Sequence, residues 1–299
     1  MIRRKTLPKV LLILAAFVFF SANTIYLLEA DSSHLKTALD RTYHLDFDHV
    51  RAGPYLNLKA ALLVNYDNGE VLYAAQPDSI RPIASLTKLM TAMVVLDRVR
   101  DLSATETITR ADARRSSRSR LRVGYELTLL DLLHAALMNS DNRAARALAR
   151  ATSGSVEKFT LEMNRKAKKL GFEKTVFVEP TGLDSRNVST AREVAKLLHY
   201  AHDYLLIREI TSRKRFRVNV VNRKNVTLPM ANTNLLVHSP YTVLSGKTGY
   251  IRAADYCLTT LVKNRAGERL TLVVLGVPGD RLRFKESRRL LNWGFRQIS

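Results

Sequence analysis

The chain has 299 residues, 46% of them hydrophobic and 25% charged, so it can bury a full-sized core and is not globally disordered. Its formal net charge is +21, yet the densest basic stretch, Arg110, Arg114, Arg115, Arg118, Arg120 and Arg122, has no interleaved aromatics, and no zinc-finger or Gly-rich RNA-binding signature accompanies it. No nucleic acid is therefore expected as a partner, and the basic surface is read as solvated or as facing an anionic polymer or membrane surface.

Arg3, Arg4, Lys5 and Lys9 precede an unbroken apolar run over residues 10–20, the layout of a secretory signal. Ser21 and Ala22 offer a small-residue cleavage site, but the apolar character resumes at Ile25, and residues 10–28 are long enough to span a membrane uncleaved. Residues 1–30 are thus a signal peptide or a signal anchor, and the protein is expected to be exported. Residues 31–54 are polar and mixed, and read as a linker.

Apolar runs at 60–66 and 71–75 flank Asp67-Asn68-Gly69, which predicts a β-hairpin. After Pro77 and Pro82 comes Ser85, then Leu86, Leu89, Met90, Met93 and Val94, the spacing of a helix that is apolar on more than one face. Helices are expected over 127–138, 143–150 and 156–170, and a capping box, Thr190 with Glu193, opens another to about residue 208. Strands are expected at 215–221, 243–249, 255–262 and 270–277, before a final helix over 282–295. The single cysteine, Cys257, rules out an internal disulfide and reads as a buried strand thiol. Strands at both ends predict an α/β sandwich, with a mostly antiparallel sheet built from both termini and a helical subdomain inserted at about residues 100–210. A cleft between the two parts is the expected site.

Three short motifs occur in order: Ser85-Leu86-Thr87-Lys88, Ser140-Asp141-Asn142 and Lys247-Thr248-Gly249. Singly the first two are weak. Ser-x-x-Lys recurs at Ser33/Lys36 and Ser155/Lys158, and Ser-x-Asn recurs at Ser21/Asn23 and Ser185/Asn187. Only one combination places a serine at a buried helix start, a second motif between helices and Lys-Thr-Gly on a strand. Each piece also has a plainer reading: Ser85 as a helix cap, Ser140 and Asn142 as a cap pair, Lys247 to Gly249 as a strand ending in a turn.

A serine at a helix start lies under the positive end of the helix dipole, and Lys88 three residues on shares its face. Acting as a base requires a neutral lysine. That means lowering its pKa by about 3 units, a bias of roughly 4 kcal/mol, which burial and a second cation, Lys247, can supply. Lys247 and Thr248 offer a cation and a hydroxyl to a carboxylate, while Gly249 permits close backbone approach. The backbone N–H groups of Ser85 and Tyr250 are candidates for an oxyanion hole. Nothing in the pattern calls for a metal or a cofactor.

The three motifs together are the signature of class A β-lactamases and penicillin-binding proteins. From about residue 55 onward the sequence resembles the low-molecular-mass penicillin-binding proteins of the D-alanyl-D-alanine carboxypeptidase/endopeptidase family, most of all its endopeptidase branch. The likeness rests on residues 83–91, 139–145, 180–183 and 245–250. It departs after the third motif, where Arg252-Ala253-Ala254-Asp255 replaces the Asn-Glu-Ala-Gly common in the family.

The resemblance implies a β-lactamase/transpeptidase-like fold, a catalytic domain over 55–299 and a periplasmic location. It implies Ser85 as acyl-enzyme nucleophile, Lys88 as its base, Ser140 and Asn142 as proton relay and substrate contact, and Lys247 and Thr248 as carboxylate anchor. Peptidoglycan stem peptides are the implied substrate and β-lactams the implied acylating ligands. Related carboxypeptidases carry an additional C-terminal β-rich domain and membrane tail, for which a chain closing at Ser299 leaves no room; cross-link cleavage is therefore expected over trimming of terminal D-alanine. The alternatives are a carboxypeptidase, a β-lactamase with Glu179 as the acidic group that activates water, and a non-catalytic wall-binding scaffold.

Overall fold

The computed structural model describes residues 43–48, 50–114 and 119–298. The expected signal segment, residues 31–42 of the expected linker, Arg115 and Arg118 lie outside the described residues. The remainder of the linker stretch is bonded to the body: Leu45 is buried, Asp46 N donates to Gly69 O (2.9 Å) and Arg51 N to Leu72 O (3.0 Å).

Strands β1 (Ala60–Asn65) and β2 (Val71–Ala75) form the expected hairpin, with Gly69 at φ +78° in its turn. β3 (Arg81–Pro82) leads into a short 3-10 turn, Ala84–Thr87, and then α1 (Lys88–Arg98), where residues 88–96 are all buried. The buried helix is as expected, but Ser85 sits in the tight turn before it. β4 (Thr105–Thr107) pairs with β5 (Glu126–Thr128), so the helix expected from residue 127 begins two residues later as α2 (Leu129–Met138). α3 (Asn142–Ser153) and α4 (Val156–Lys169) follow, and β6 (Val188–Ser189) pairs back to β3.

The helix expected from Thr190 is two helices, α5 (Ala191–Asp203) and α6 (Leu205–Ser212), because Tyr204 is extended at the junction. Thr190 does cap Glu193 N, but the Glu193 carboxylate does not return the bond. It accepts from Glu173 N, Lys174 N and Thr175 Oγ1 instead, and so ties down the preceding loop.

β7 (Arg215–Asn219) was expected in the main sheet, and it is not there. It pairs with β8 (Thr227–Ala231) in a separate hairpin, since Arg215 and Arg217 face solvent and could not enter a sheet covered on both faces. β8 escapes sequence reading because Pro229 interrupts it. β9 (Thr242–Ile251), β10 (Asp255–Lys263) and β11 (Arg269–Val277) complete the five-stranded sheet in the order β2-β1-β11-β10-β9, every neighbour antiparallel.

The last helix, α7 (Asp280–Ile298), covers one face of this sheet with Phe284, Leu290, Leu291 and Phe295 against Leu63, Leu272 and Val274. On the other face α5 reaches β11 through His199 Nε2 and Thr271 Oγ1 (2.7 Å). Covering on both faces explains why the central strands are apolar at successive rather than alternate positions. Cys257 is a buried thiol in β10, as expected, and burial pushes its pKa up to about 11. β9 is left at the sheet edge, the strand that carries Lys247, Thr248 and Gly249.

Candidate active site

The site starts from the geometry of the 3-10 turn. In such a turn residues three apart eclipse one another, so Ser85 and Lys88 are stacked in line. Lys88 Nζ lies 3.0 Å from Ser85 Oγ. It also donates to Asn142 Oδ1 and to the Thr181 carbonyl, each at 2.7 Å. A neutral amine has two N–H groups and one lone pair. With the two donors engaged by Asn142 and Thr181, the lone pair is left facing the Ser85 hydroxyl.

Burial is what makes the neutral form accessible. Lys88 is 1% exposed, and burial lowers its pKa to about 7; Glu179 and Asp141 oppose that shift, and Arg146 adds to it. Lys247 is equally buried, and its pKa is lowered first by burial, then by the charges of Lys88 and Arg283. Arg146 is a further cation that lowers Lys88, and the two buried lysines repel one another, so a charge on either disfavours a proton on the other.

Lys247 Nζ donates to Ser140 Oγ (2.9 Å) and to the Thr248 carbonyl (3.0 Å). Neither serine is a helix cap. No side chain caps the turn at Ser85, and the cap of α3 is Asp141, which accepts from Arg143 N and Ala144 N. Ser140 stands at φ +57°, a backbone position that L residues rarely occupy, held between α2 and α3 with its hydroxyl turned to Lys247. Ser85 and Ser140 are partly exposed while both lysines are sealed behind them. Tyr250 is 48% exposed.

Close approach then decides which residues fit. A Cβ on Gly249 would stand 2.9 Å from the Ile83 carbonyl oxygen and 3.1 Å from Ser85 N, so β9 passes directly over the serine turn. Gly182, at φ +81°, lies against the Ala84 carbonyl, and a Cβ there would overlap it. The peptide between Gly249 and Tyr250 is thus held beside the Ser85 amide; Ser85 and Tyr250 are the two residues whose N–H groups the sequence offers as an oxyanion hole.

All the sequence-predicted residues are brought to this one place: Ser85, Lys88, Ser140, Asn142, Lys247, Thr248, Gly249 and Tyr250. Others were missed. Thr181 supplies a carbonyl to Lys88, and the Pro180-Thr181-Gly182 turn was the signal for it. Thr233 Oγ1 lies 2.6 Å from Thr248 Oγ1, with no sequence signal. Arg283, 5% exposed, donates to the Gly249 and Cys257 carbonyls from behind the strand; its place on the inward face of α7, with Phe284, Ser287 and Leu290, was the clue. Glu179 accepts from Thr181 N, Thr181 Oγ1, Gly182 N, Asp184 N and Asn187 Nδ2, so its carboxylate is spent on its own loop.

A serine hydroxyl on a buried lysine, a second serine–lysine pair and an edge strand beside them, in an α/β sandwich, define a serine acyl-transfer enzyme of the β-lactamase/transpeptidase-like fold. A profile of the family described as D-alanyl-D-alanine carboxypeptidase matches residues 49–279. The D-alanyl-D-alanine endopeptidase of Escherichia coli is 39% identical over 245 residues, covering 80% of this chain and 78% of that protein. The enzyme of the same name from Pseudomonas aeruginosa is 40% identical over 240 residues, covering 78% of this chain and 76% of its own. Among solved structures, the Streptomyces K15 DD-transpeptidase superposes with a TM-score of 0.77 at 28% identity, over 82% of this chain and 100% of that one. The chain belongs to the D-alanyl-D-alanine carboxypeptidase family of serine peptidases, which are hydrolases.

Proposed function

We propose that the protein hydrolyses the D-alanyl peptide cross-links of bacterial peptidoglycan through an acyl-enzyme on Ser85. The observation that carries this is the buried, depressed-pKa Lys88 at 3.0 Å from the Ser85 hydroxyl. The family supports the reaction class, and the relatives named as endopeptidases support cross-links over chain ends.

In this reading Ser85 Oγ attacks the carbonyl carbon of the scissile peptide, and its proton passes to Lys88. The oxyanion is held by the N–H groups of Ser85 and Tyr250. The C–N bond then breaks, and the departing amine takes a proton relayed through Ser140. Water hydrolyses the Ser85 ester by the same groups in reverse. Asn142 orients the peptide, and Lys247 with Thr248 holds the substrate carboxylate. That carboxylate favours the charged form of Lys247, and the resulting cation disfavours a proton on Lys88, so binding itself readies the base.

β-Lactams are the expected covalent ligands. A periplasmic protein with residues 1–30 as signal or anchor fits this substrate. Among the described residues no helix is long and apolar enough to cross a membrane. The exposed Arg110, Arg114, Arg120 and Arg122 are suited to anionic polymer or lipid surfaces.

Two experiments test the proposal. A fluorescent penicillin should label the wild-type protein at Ser85, and Ser85→Ala should abolish labelling; adduct on Ser140, or labelling that persists, would refute the nucleophile. Isolated peptidoglycan should yield monomers from cross-linked dimers. Loss of terminal D-alanine with dimers left intact would make the enzyme a carboxypeptidase.

A further inference from the structure

Beside the candidate site lies a groove of about 420 Å³, walled on one side by Arg120 and on the other by the β7–β8 hairpin. On the hairpin's outer face Arg215 stands opposite Ala231 and Arg217 opposite Pro229, so two guanidiniums project over a small apolar surface. Phe216 and Met230 complete the lining. Three cations therefore share one groove whose lining holds no carboxylate.

Several arginines elsewhere in the chain are held in ion pairs. Arg150 meets Glu106 and Asp112, Arg192 meets Asp78, and Arg98 meets Glu162. Among the described residues Arg120, Arg215 and Arg217 have no such acidic partner. Three unpaired guanidiniums in one concavity repel one another, and an entering anion relieves that repulsion.

Both walls are tied to the candidate site. Ser119, next to Arg120, donates to Asp141 Oδ2 (2.6 Å), and Arg143 Nη1 donates to the Leu121 carbonyl (2.6 Å), which fixes this wall beside Ser140. Two residues beyond Ala231, Thr233 N donates to the Met138 carbonyl (3.0 Å) and its hydroxyl meets Thr248. Both walls of the groove are thus anchored to the Ser140 and Thr248 edge of the cleft.

We propose that this groove is a carboxylate-binding subsite for an acidic peptide strand, the continuation of the substrate held in the cleft; the inference rests on the peptidase reading above. Guanidinium forks match carboxylates two bonds at a time, while Pro229, Ala231 and Phe216 offer contact to methyl and methylene groups. The subsite gives the enzyme a second hold on a peptide whose acidic side chain lies beyond the carboxylate held at Lys247 and Thr248. It sets which strand is accepted, and it plays no part in bond breaking.

The test uses the full chain and two synthetic D-alanyl-D-alanine peptides, identical except that one stem residue carries a side-chain carboxylate or the corresponding carboxamide. Wild-type protein should show a KM lower for the carboxylate form by about tenfold, the size expected of one charge-assisted contact. The triple variant Arg120→Gln, Arg215→Gln, Arg217→Gln should lose that preference, while its acylation rate by a small β-lactam stays at the wild-type value. If wild type is acylated at Ser85 but cleaves both peptides with equal KM, the subsite is refuted and the peptidase reading stands. A preference that survives in the triple variant refutes it equally, as does a matching loss of β-lactam acylation, which would mean that the arginines act on the cleft. If wild type is not acylated, the peptidase reading fails and takes the subsite with it.

Discussion

Gly249 passes over Ser85 so closely that a methyl group on the glycine would stand 3.1 Å from the serine's backbone nitrogen. Two segments far apart in sequence are thereby locked to one spacing, on which the proposed oxyanion hole of the Ser85 and Tyr250 amides depends.

Gly249→Ala should therefore cut β-lactam acylation at least tenfold, because β9 must retreat a few tenths of an ångström from the serine turn. Removing one oxyanion donor costs about 10²–10³ in rate, and a misplaced one costs part of that. Gly267→Ala is the control: at φ +92°, with nothing within 4 Å of its Cβ, it should lose about 1 kcal/mol of stability and keep its acylation rate. Equal acylation rates in the two variants would show that the approach of β9 is unimportant.

Lys88 should impose an ascending pH limb. In the proposed mechanism its neutral form is the active one, so acylation should rise with pH through about 7 and level off above it. Arg146→Gln removes a charge that lowers the Lys88 pKa, and should move the limb to higher pH. Lys88→Arg keeps the charge, cannot lose its proton and should slow acylation by about 10²–10⁴. Stopped-flow acylation by penicillin across pH 5–9 checks all three; a flat wild-type profile would remove Lys88 as the base.

The penicilloyl adduct should be long-lived, because Glu179 is bound by five groups of its own loop and is not free to activate water. Glu179→Gln should slow acylation by loosening the loop that presents the Thr181 carbonyl to Lys88. Intact-mass spectrometry over an hour decides the point. An adduct that wild type clears within seconds and Glu179→Gln retains would identify a β-lactamase.

His199 and His202 should make the fold acid-labile. Burial is the main cause that lowers them, to about 3 and about 4, and His199 Nδ1 has no hydrogen-bond partner among the described residues. The unfolded chain binds these protons near pH 6.5 and the folded chain does not, so the stability they confer is complete above that pH and lost as pH falls toward 4. At pH 4.5 the loss is about 2 kcal/mol or more per ring. Urea titration at pH 7 and 4.5 should show a smaller drop for His199→Gln than for wild type. Equal drops would place the acid sensitivity elsewhere.

The residues of the site could be read in the chain because each chemical demand is local. Ser85 and Lys88 must lie three apart on one turn, Ser140 must lie in a short break between helices, and Lys247 to Gly249 must lie on a strand. Strand and helix periods marked those segments, and apolar residues on more than one face marked α1 as buried. What the chain could not disclose depends on contacts between distant segments. Whether Lys88 is neutral depends on how completely Glu179, Asp141 and Arg146 are balanced around a sealed amine. Thr233 reaches Thr248, and Arg283 reaches Gly249, only after β8 and α7 have docked. The β7–β8 hairpin leaves the main sheet because Arg215 and Arg217 need water, a choice set by the covering of both sheet faces and not by strand propensity. Burial and charge coupling are sums over neighbours from many parts of the chain, so they exist only once the tertiary fold is assembled.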